Sequence, residues 1–348
     1  MSLLESVKDR LAGKIDSGEY PAGSKLPPIR ELVRELDASF VTVQRAIGLL
    51  QKEQYVKSHV GKGTYVIRGS LDMDTSQAKA GGNSVAFVFS DPYPLTNYQM
   101  EIYRGVQEAC RAMRLVDRII GIDDDPRGVD SSRLFGAISI CQSPLALELS
   151  GRGVPVVMCG EIPQDKSADS ITPNYHDGSR QVVRHIAGSG ARRIFFVDVF
   201  EGSSELCFME RRIGYQEAMR EAGLKAEQPM RWHWRKCSSA VKSLLSKPPK
   251  SQFGIFAAND AMAFEICEMA HEMGLRIPED FSIAGLEDMA CARQCEPQLT
   301  TAGYDKRGLG QEAVKMLARR VRRGLSEGAE RVMLPMKLIV RGSVRPPH

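Results

Sequence analysis

Beyond Ser84 the chain alternates unbroken apolar runs with helix-period segments, and no other feature limits its fold as tightly. "SVAFVF", "GAISI", "VPVVMCG", "FGIFAAN" and "FSIAGLED" are such runs, and "QMEIYRGVQEACRAMRL" and "DAMAFEICEMAHEMGL" are typical of the helical segments. A strand without polar alternation is buried on both faces, which implies a parallel sheet covered by helices on each side. Residues 84–348 are therefore read as an α/β domain. Ligands of such sheets lie beyond the carboxyl ends of the strands, so strand-end residues are the candidates for function. One crossover stands out. Between "RIIGI" and "LFGAISI" only "DDDPRGVDSSR" intervenes, and its Pro126 and Gly128 leave no room for a helix of ordinary length. The first half of this domain is expected to lack one crossover helix, and Asp123–Asp125 is read as a loop start rather than a metal site.

The first 68 residues follow another pattern. Leu4, Val7, Leu11 and Ile15 recur at helical spacing ahead of Gly18. "IRELVREL" predicts a short helix with Ile29, Leu32, Val33 and Leu36 inward. "DASFVTVQRAIGLLQKEQ" predicts a second, with Asp37 and Ser39 as cap candidates and Val43, Ala46, Ile47 and Leu50 inward. Two short helices joined by a tight turn make a helix-turn-helix. The stretch that follows, "HVGKGTYVIR", looks at first like a phosphate-binding loop. Such a loop needs G-x-x-x-x-G-K-[ST], but Val56 stands at the first glycine position and Gly63 at the hydroxyl position. Alternating β runs on either side of Gly61 and Gly63 instead predict a hairpin. The glycines let its turn adopt positive φ, and Lys62 sits at the tip.

The chain has 348 residues, enough for two or three domains, with 43% hydrophobic and 26% charged. No run approaches the 18 or so apolar residues of a membrane span. The amphipathic start carries acids and lacks the pattern of a signal peptide, so a cytoplasmic protein with no membrane association is expected. Eight cysteines without a C-x-x-C and six separated histidines give neither a zinc spacing nor a disulfide framework. No metal or other cofactor is expected. Residues 1–68 hold eleven Lys/Arg against eight Asp/Glu, a net of +3. "GSLDMDTSQAKAGGN", residues 69–83, is small and polar and reads as a flexible tether. "KMLARRVRRGLSEGAERV" near the C-terminus reads as a solvated cationic face.

"GSKLPPIREL", "S-x-x-TV-x-RA" and "GKGTYV" resemble the winged helix-turn-helix of GntR-type bacterial regulators over residues 1–68. The resemblance implies that Arg30 touches the DNA backbone. It also implies that Ser39, Phe40, Thr42, Gln44 and Arg45 begin the recognition helix, and that Gly61, Lys62 and Gly63 form the wing. Phe40 stands where the family often has arginine, a bidentate guanine reader. Phenylalanine can meet only a thymine methyl or an apolar surface. For Ser39 and Thr42, helix capping is the competing reading.

"GSGARRIFFV", "RRIGYQEAMREAGL", "AANDAMAFEICEMAHEMGLRIPEDFSIAGLED", "PQLTTAGYDKRGLGQEAVKML" and "MLPMKLIVRGS" resemble, in order, the sensor domain of LacI/GalR-type regulators. That domain is shaped like the periplasmic sugar-binding proteins. The resemblance covers about residues 84–343 and implies two lobes hinged around a small ligand. The first lobe would take about residues 84–161 and 306–327, the second about 162–303 and 332–343. Arg211 matches the family's ligand-binding arginine and Asn259 a ligand-contacting asparagine, with Asp260 as the cap of the next helix. Glu287 stands at the usual aspartate, with Asp288 beside it. Trp234 or Trp232 would offer a ring face, and Tyr93, Tyr98 and Gln99 lie on the first-lobe side. The family's polar residue after "VPVV" is here Gly160, followed by Glu161. Structural readings remain open for these positions: Arg211 as a surface salt-bridge partner, Asn259 as a turn residue, the tryptophans as core.

Together these readings imply a transcription regulator, a repressor by analogy, rather than an enzyme. Its partners would be double-stranded operator DNA, a sugar-like effector and a second copy of itself. Three alternatives are a sensor kept only for dimerisation, a pyridoxal-phosphate enzyme fused to a winged domain, and a transport-linked binding protein.

Overall fold

A computed structural model describes residues 3–16, 19–20, 24–52, 55–59, 63–66, 82–89, 97–121, 128–140, 143–161, 163, 168–199, 205–232, 239–325 and 328–346. Gly61, Lys62, Tyr93, Trp234, most of the 69–83 segment and Asp123–Asp125 lie outside the described residues. The chain divides into two units, residues 1–77 and 78–348.

In the first unit α1 (Leu3–Asp16), α2 (Ile29–Leu36) and α3 (Phe40–Lys52) precede β1 (Val56–His59) and β2 (Gly63–Val66). Val7, Leu11, Ile15, Leu32, Leu36, Val43, Ala46, Ile47 and Leu50 form its core, as their helical spacing predicts, with Leu4, Ile29 and Val33 packed at its margin. Asp37 ends α2 in the left-handed conformation, φ 48°, and two residues later Ser39 Oγ accepts from the Thr42 N–H at 3.2 Å. The turn between the helices is therefore built from one C-cap and one N-cap. β1 and β2 pair antiparallel, from Val56 opposite Val66 to His59 opposite Gly63, which is the hairpin the glycine spacing predicts.

The second unit contains two six-stranded sheets. The first has the order β13 (Arg331–Leu334), β7 (Asp169–Pro173), β6 (Val156–Cys159), β5 (Leu134–Ser139), β3 (Ser84–Phe89), β4 (Val116–Gly121). The second has the order β14 (Lys337–Ile339), β12 (Thr300–Gly303), β11 (Ser282–Glu287), β10 (Phe253–Ala257), β8 (Arg193–Val199), β9 (Met230–Trp232). Every pairing is parallel except that of β12 with β14. β5 and β10 are buried along their whole length, as unbroken apolar runs require.

The chain passes between the lobes three times. It leaves the first sheet after β7 for α6 (Tyr175–Gly188), returns after β12 through α10 (Lys306–Arg323), and leaves again between β13 and β14. β7 and β13 thus belong to the first sheet, not to the second lobe where the sequence reading placed residues 162–303 and 332–343. Each of these strands is too short for its pattern to name its sheet; the ladder decides, with β13 running parallel on β7. α10 packs along α4 (Asn97–Ala112). Glycines allow the close approach: a Cβ at Gly105 would come within 2.0 Å of the Arg307 carbonyl oxygen, and one at Gly310 within 2.1 Å of that of Ile102. Between β4 and β5 the described residues form a 3-10 turn at Ser131–Arg133, and residues 122–127 of that crossover lie outside the described residues.

The basic run of α10 is a solvated face only at Arg322 and Arg323, which are exposed. Arg320 is buried against Asp169 of β7, with Nε 2.6 Å from Oδ2, and Arg319 bridges Glu312 and Glu330. These cations tie α10 to β7 and to the approach to β13. None of the described helices is long and apolar enough to cross a membrane.

Candidate functional site

The carboxyl ends of strands from both sheets converge on one cluster. Arg211 lies on α7 (Glu205–Glu221), with only 3% of its surface exposed. Its guanidinium donates to the Ala258 carbonyl just past β10 and, at 2.6 Å, to Glu287 Oε1 at the end of β11. The guanidinium also lies 4.1 Å from the ring centroid of Tyr175 and 4.7 Å from that of Phe208. This is a cation held between two π faces. Burial alone would lower the Arg211 pKa, but Glu287 and its neighbours more than offset this and hold it above the usual guanidinium value. Among the described residues its Nε has no hydrogen-bond partner. The reading of Arg211 as a surface ion-pair residue is therefore excluded.

Glu287 has φ 99° and Asp288 φ 48°. Two consecutive non-glycine residues in this region are strained, at a cost of about 1–3 kcal/mol each. Asp288 is fully engaged elsewhere. Its carboxylate meets Arg341 at 2.5 Å and Arg293 at 2.7 Å, and its carbonyl accepts from Lys306 Nζ at 3.2 Å. The structure thus gives Asp288 the task of fixing the turn that presents Glu287.

Asn259 is the N-cap of α9 (Asp260–Glu272), its Oδ1 accepting from the Met262 N–H at 2.9 Å. The sequence reading gave the cap to Asp260. Asp260 is instead the first helical residue and wholly buried. It accepts from Thr301 Oγ1 and from the Met289 N–H, both at 2.7 Å. A cap must precede the first helical residue so that its side chain can accept from the free N–H groups two or three residues ahead, and that position is Asn259's.

Phenols from both lobes meet beside this cluster. Tyr304, just past β12, donates its hydroxyl to that of Tyr98 on α4 at 2.8 Å. Tyr175 donates to the Gly160 carbonyl at 3.3 Å, and the Cys207 thiol reaches the same oxygen at 3.5 Å. Burial pushes the Tyr98 and Tyr304 phenols well above their usual pKa, so both remain neutral. Gly160 has φ +87°, and a Cβ there would lie 3.2 Å from the Tyr98 hydroxyl. That accounts for glycine where a polar residue was expected. Gln99 and Glu161 are buried nearby in sequence. Trp232 is 2% exposed and belongs to the second-lobe core, so it offers no ring face. Tyr304, Tyr175, Phe208 and Lys306 were missed by sequence reasoning; the signal for Tyr304 was its place immediately after the strand "TTAG". Among the described residues no group of His, Cys, Asp and Glu could hold a metal ion.

In the first unit Ser39 Oγ and Thr42 Oγ1 lie 2.8 Å apart, so capping engages both hydroxyls. Ser39, Phe40, Gln44 and Arg45 are exposed on α3 and Arg30 on α2, while Thr42 is half-buried. Gly63 opens β2 at the base of the wing.

The comparisons with known proteins follow this division. Residues 3–66 match the family described as bacterial regulatory proteins, gntR family. Residues 183–344 match the periplasmic binding protein-like domain. The arabinose metabolism transcriptional repressor of Geobacillus stearothermophilus is 23% identical, over 97% of this chain and 96% of its own length. The HTH-type transcriptional repressor PurR of Photobacterium profundum is 27% identical over 70% of this chain and 77% of its own. Among solved structures, a transcriptional regulator CelR–cellobiose complex superposes with a TM-score of 0.66 at 19% identity, covering 91% of this chain and all of that one. These relatives are regulators of transcription, not enzymes. The chain thus carries one segment that matches the helix-turn-helix of bacterial gntR-family regulators and one that matches a periplasmic binding protein-like domain.

Proposed function

We propose that this protein is a repressor of transcription that binds operator DNA as a homodimer in the cytoplasm and is controlled by a sugar-like effector held between the two lobes. The observation that carries the reading is the meeting of Arg211 and Glu287, with the Tyr98–Tyr304 hydroxyl pair joining the lobes. Planar guanidinium donors, a carboxylate acceptor, neutral phenols and aromatic faces suit a small neutral polyol. An effector hydroxyl that accepts from Arg211 and donates to Glu287 replaces their direct bond. Contacts to Tyr98 and Tyr304 then bias the angle between the lobes, because α4 belongs to one and β12 to the other. The winged unit draws most of its affinity from phosphates, so binding falls steeply with salt. A two-fold dimer would read a near-palindromic site. The arabinose-repressor and cellobiose-regulator relatives support the choice of sugar.

Thermal unfolding of the full chain against neutral sugars, sugar acids and sugar phosphates tests the effector. A ligand at a hundred times its dissociation constant adds about 2.7 kcal/mol, roughly 5–11 °C for a domain of this size. A hit that Arg211→Lys abolishes, and that weakens binding to a selected operator, supports the reading. A flat panel from a chain that binds its operator normally would leave only a dimerisation role for the sensor.

A further inference from the structure

α3 opens with two large apolar side chains that its own domain does not use. Phe40 is 49% exposed and Val41 56% exposed, and neither belongs to or packs against the core of Val7, Leu11, Leu32, Val43 and Leu50. The core defines the inward stripe of α3 as Val43, Ala46, Ile47 and Leu50. On a 3.6-residue repeat Val41 and Arg45 share the stripe opposite to it, one turn apart, while Phe40 and Gln44 share the adjoining one. Each apolar side chain is thus stacked over a hydrogen-bonding one. Arg30 and Arg34 on α2 and Arg45 on α3 are exposed, and among the described residues none of the three has an acid or carbonyl partner. Lys14 contrasts with them, being tied to Glu19 and Glu35. An exposed apolar pair on a domain that also exposes uncommitted cations is complementary to a polyanion that displays methyl groups. The major groove is such a surface only where thymine presents its C5-methyl.

We infer that Phe40 and Val41 read thymine methyl groups in the major groove of the operator, with Gln44 on the adenine of the same A·T tract. This inference rests on the DNA-binding reading above. In that groove the hydrogen-bonding edge of adenine, N6 and N7, suits the Gln44 amide, and the thymine methyl closes against the Phe40 ring. The preferred half-site therefore carries consecutive A·T pairs beneath the start of α3. Arginine at position 40 would select guanine there instead.

The test uses the full-length chain and synthetic duplexes. An operator is first selected from random DNA, and its thymines are then replaced one at a time by deoxyuridine, which removes only the methyl. One or two positions per half-site should weaken binding about fourfold each, the loss of roughly 0.8 kcal/mol for one buried methyl-sized group. Phe40→Ala and Val41→Ala should each abolish the thymine-over-uracil preference at one of these positions, and Phe40→Arg should shift the selected base toward guanine. Equal affinity of the wild-type chain for every deoxyuridine duplex overturns the inference while leaving DNA binding intact. A T-over-U ratio that persists in both Phe40→Ala and Val41→Ala also overturns it, as does loss of dimerisation in those variants with the ratio unchanged, which would make the pair a protein contact. Failure of selection to enrich any sequence overturns the DNA-binding reading itself.

Discussion

Arg211 and Glu287 lie 76 positions apart in sequence and meet at 2.6 Å, with 3% and 12% of their side chains exposed. A pair so far removed from water stabilises only while both partners are present, because a lone buried charge keeps its desolvation cost. Glu287→Ala should therefore lower sensor stability by about 3–5 kcal/mol. Arg211→Met combined with Glu287→Ala should recover most of the loss seen in either single variant while abolishing any effector-induced shift. Urea unfolding of the four chains, read as a double-mutant cycle, checks both statements. Additive effects of the two changes would deny the coupling.

The backbone at Glu287 offers a separate measurement. Its φ of 99° is favourable only for glycine. Glu287→Ala and Glu287→Gly remove the same carboxylate but differ in strain, so the glycine variant should be the more stable by about 1 kcal/mol. Equal midpoints in urea would mean that the turn relaxes once the carboxylate is gone.

The division into a winged helix and a sensor was legible because each signal is local. Helical spacing marks Val7, Leu11 and Ile15, and alternation around two glycines marks the hairpin. The lobe membership of β7 and β13 was not legible, since a four- or five-residue apolar strand fits either sheet and only its hydrogen-bonded neighbour decides. Arg211, Asn259 and Glu287 were found through motifs, and the structure brings Arg211 to Glu287 directly. Asp260 was read as the cap because Asn and Asp are both good caps, but the helix begins at Asp260 itself and the cap falls to Asn259 before it. Tyr304 was missed because an isolated tyrosine after a strand looks like any amphipathic surface residue until Tyr98, 206 positions away, is seen to meet it.

Two helix glycines separate stability from DNA contact. A Cβ at Gly13 of α1 or Gly48 of α3 would meet nothing within 4 Å. The protein's own packing therefore requires neither. Replacement by alanine should stabilise the winged unit by about 0.5–1 kcal/mol in each case. Gly48 shares the outward side of α3 with Val41 and Arg45, so on the DNA-binding reading Gly48→Ala should also weaken operator binding severalfold, and Gly13→Ala should not. Anisotropy titrations of the two variants at one salt concentration decide the matter; equal affinities would remove Gly48 from the interface.

Asp260 gives the sensor a pH signature. Burial pushes its carboxyl well above the usual aspartate value, and the nearby charges of Glu287 and Asp288 add to this, although the bonds from Thr301 and Met289 oppose it. The folded chain thus holds the Asp260 proton more tightly than the unfolded chain, whose aspartate titrates near about 3.9. The stabilisation is complete below that unfolded value and is lost as pH rises through the folded one, at up to about 1.4 kcal/mol per pH unit. Asparagine can still accept from the Met289 N–H through Oδ1 and can donate to Thr301 through Nδ2, with no charge to bury. Asp260→Asn should therefore gain on the wild type as pH rises from 5 to 8, the difference in unfolding free energy growing across that window. Urea unfolding of both chains at several pH values measures it directly. A difference that stays constant would mean that Asp260 is ionised in the folded protein throughout, its charge satisfied by those two hydrogen bonds.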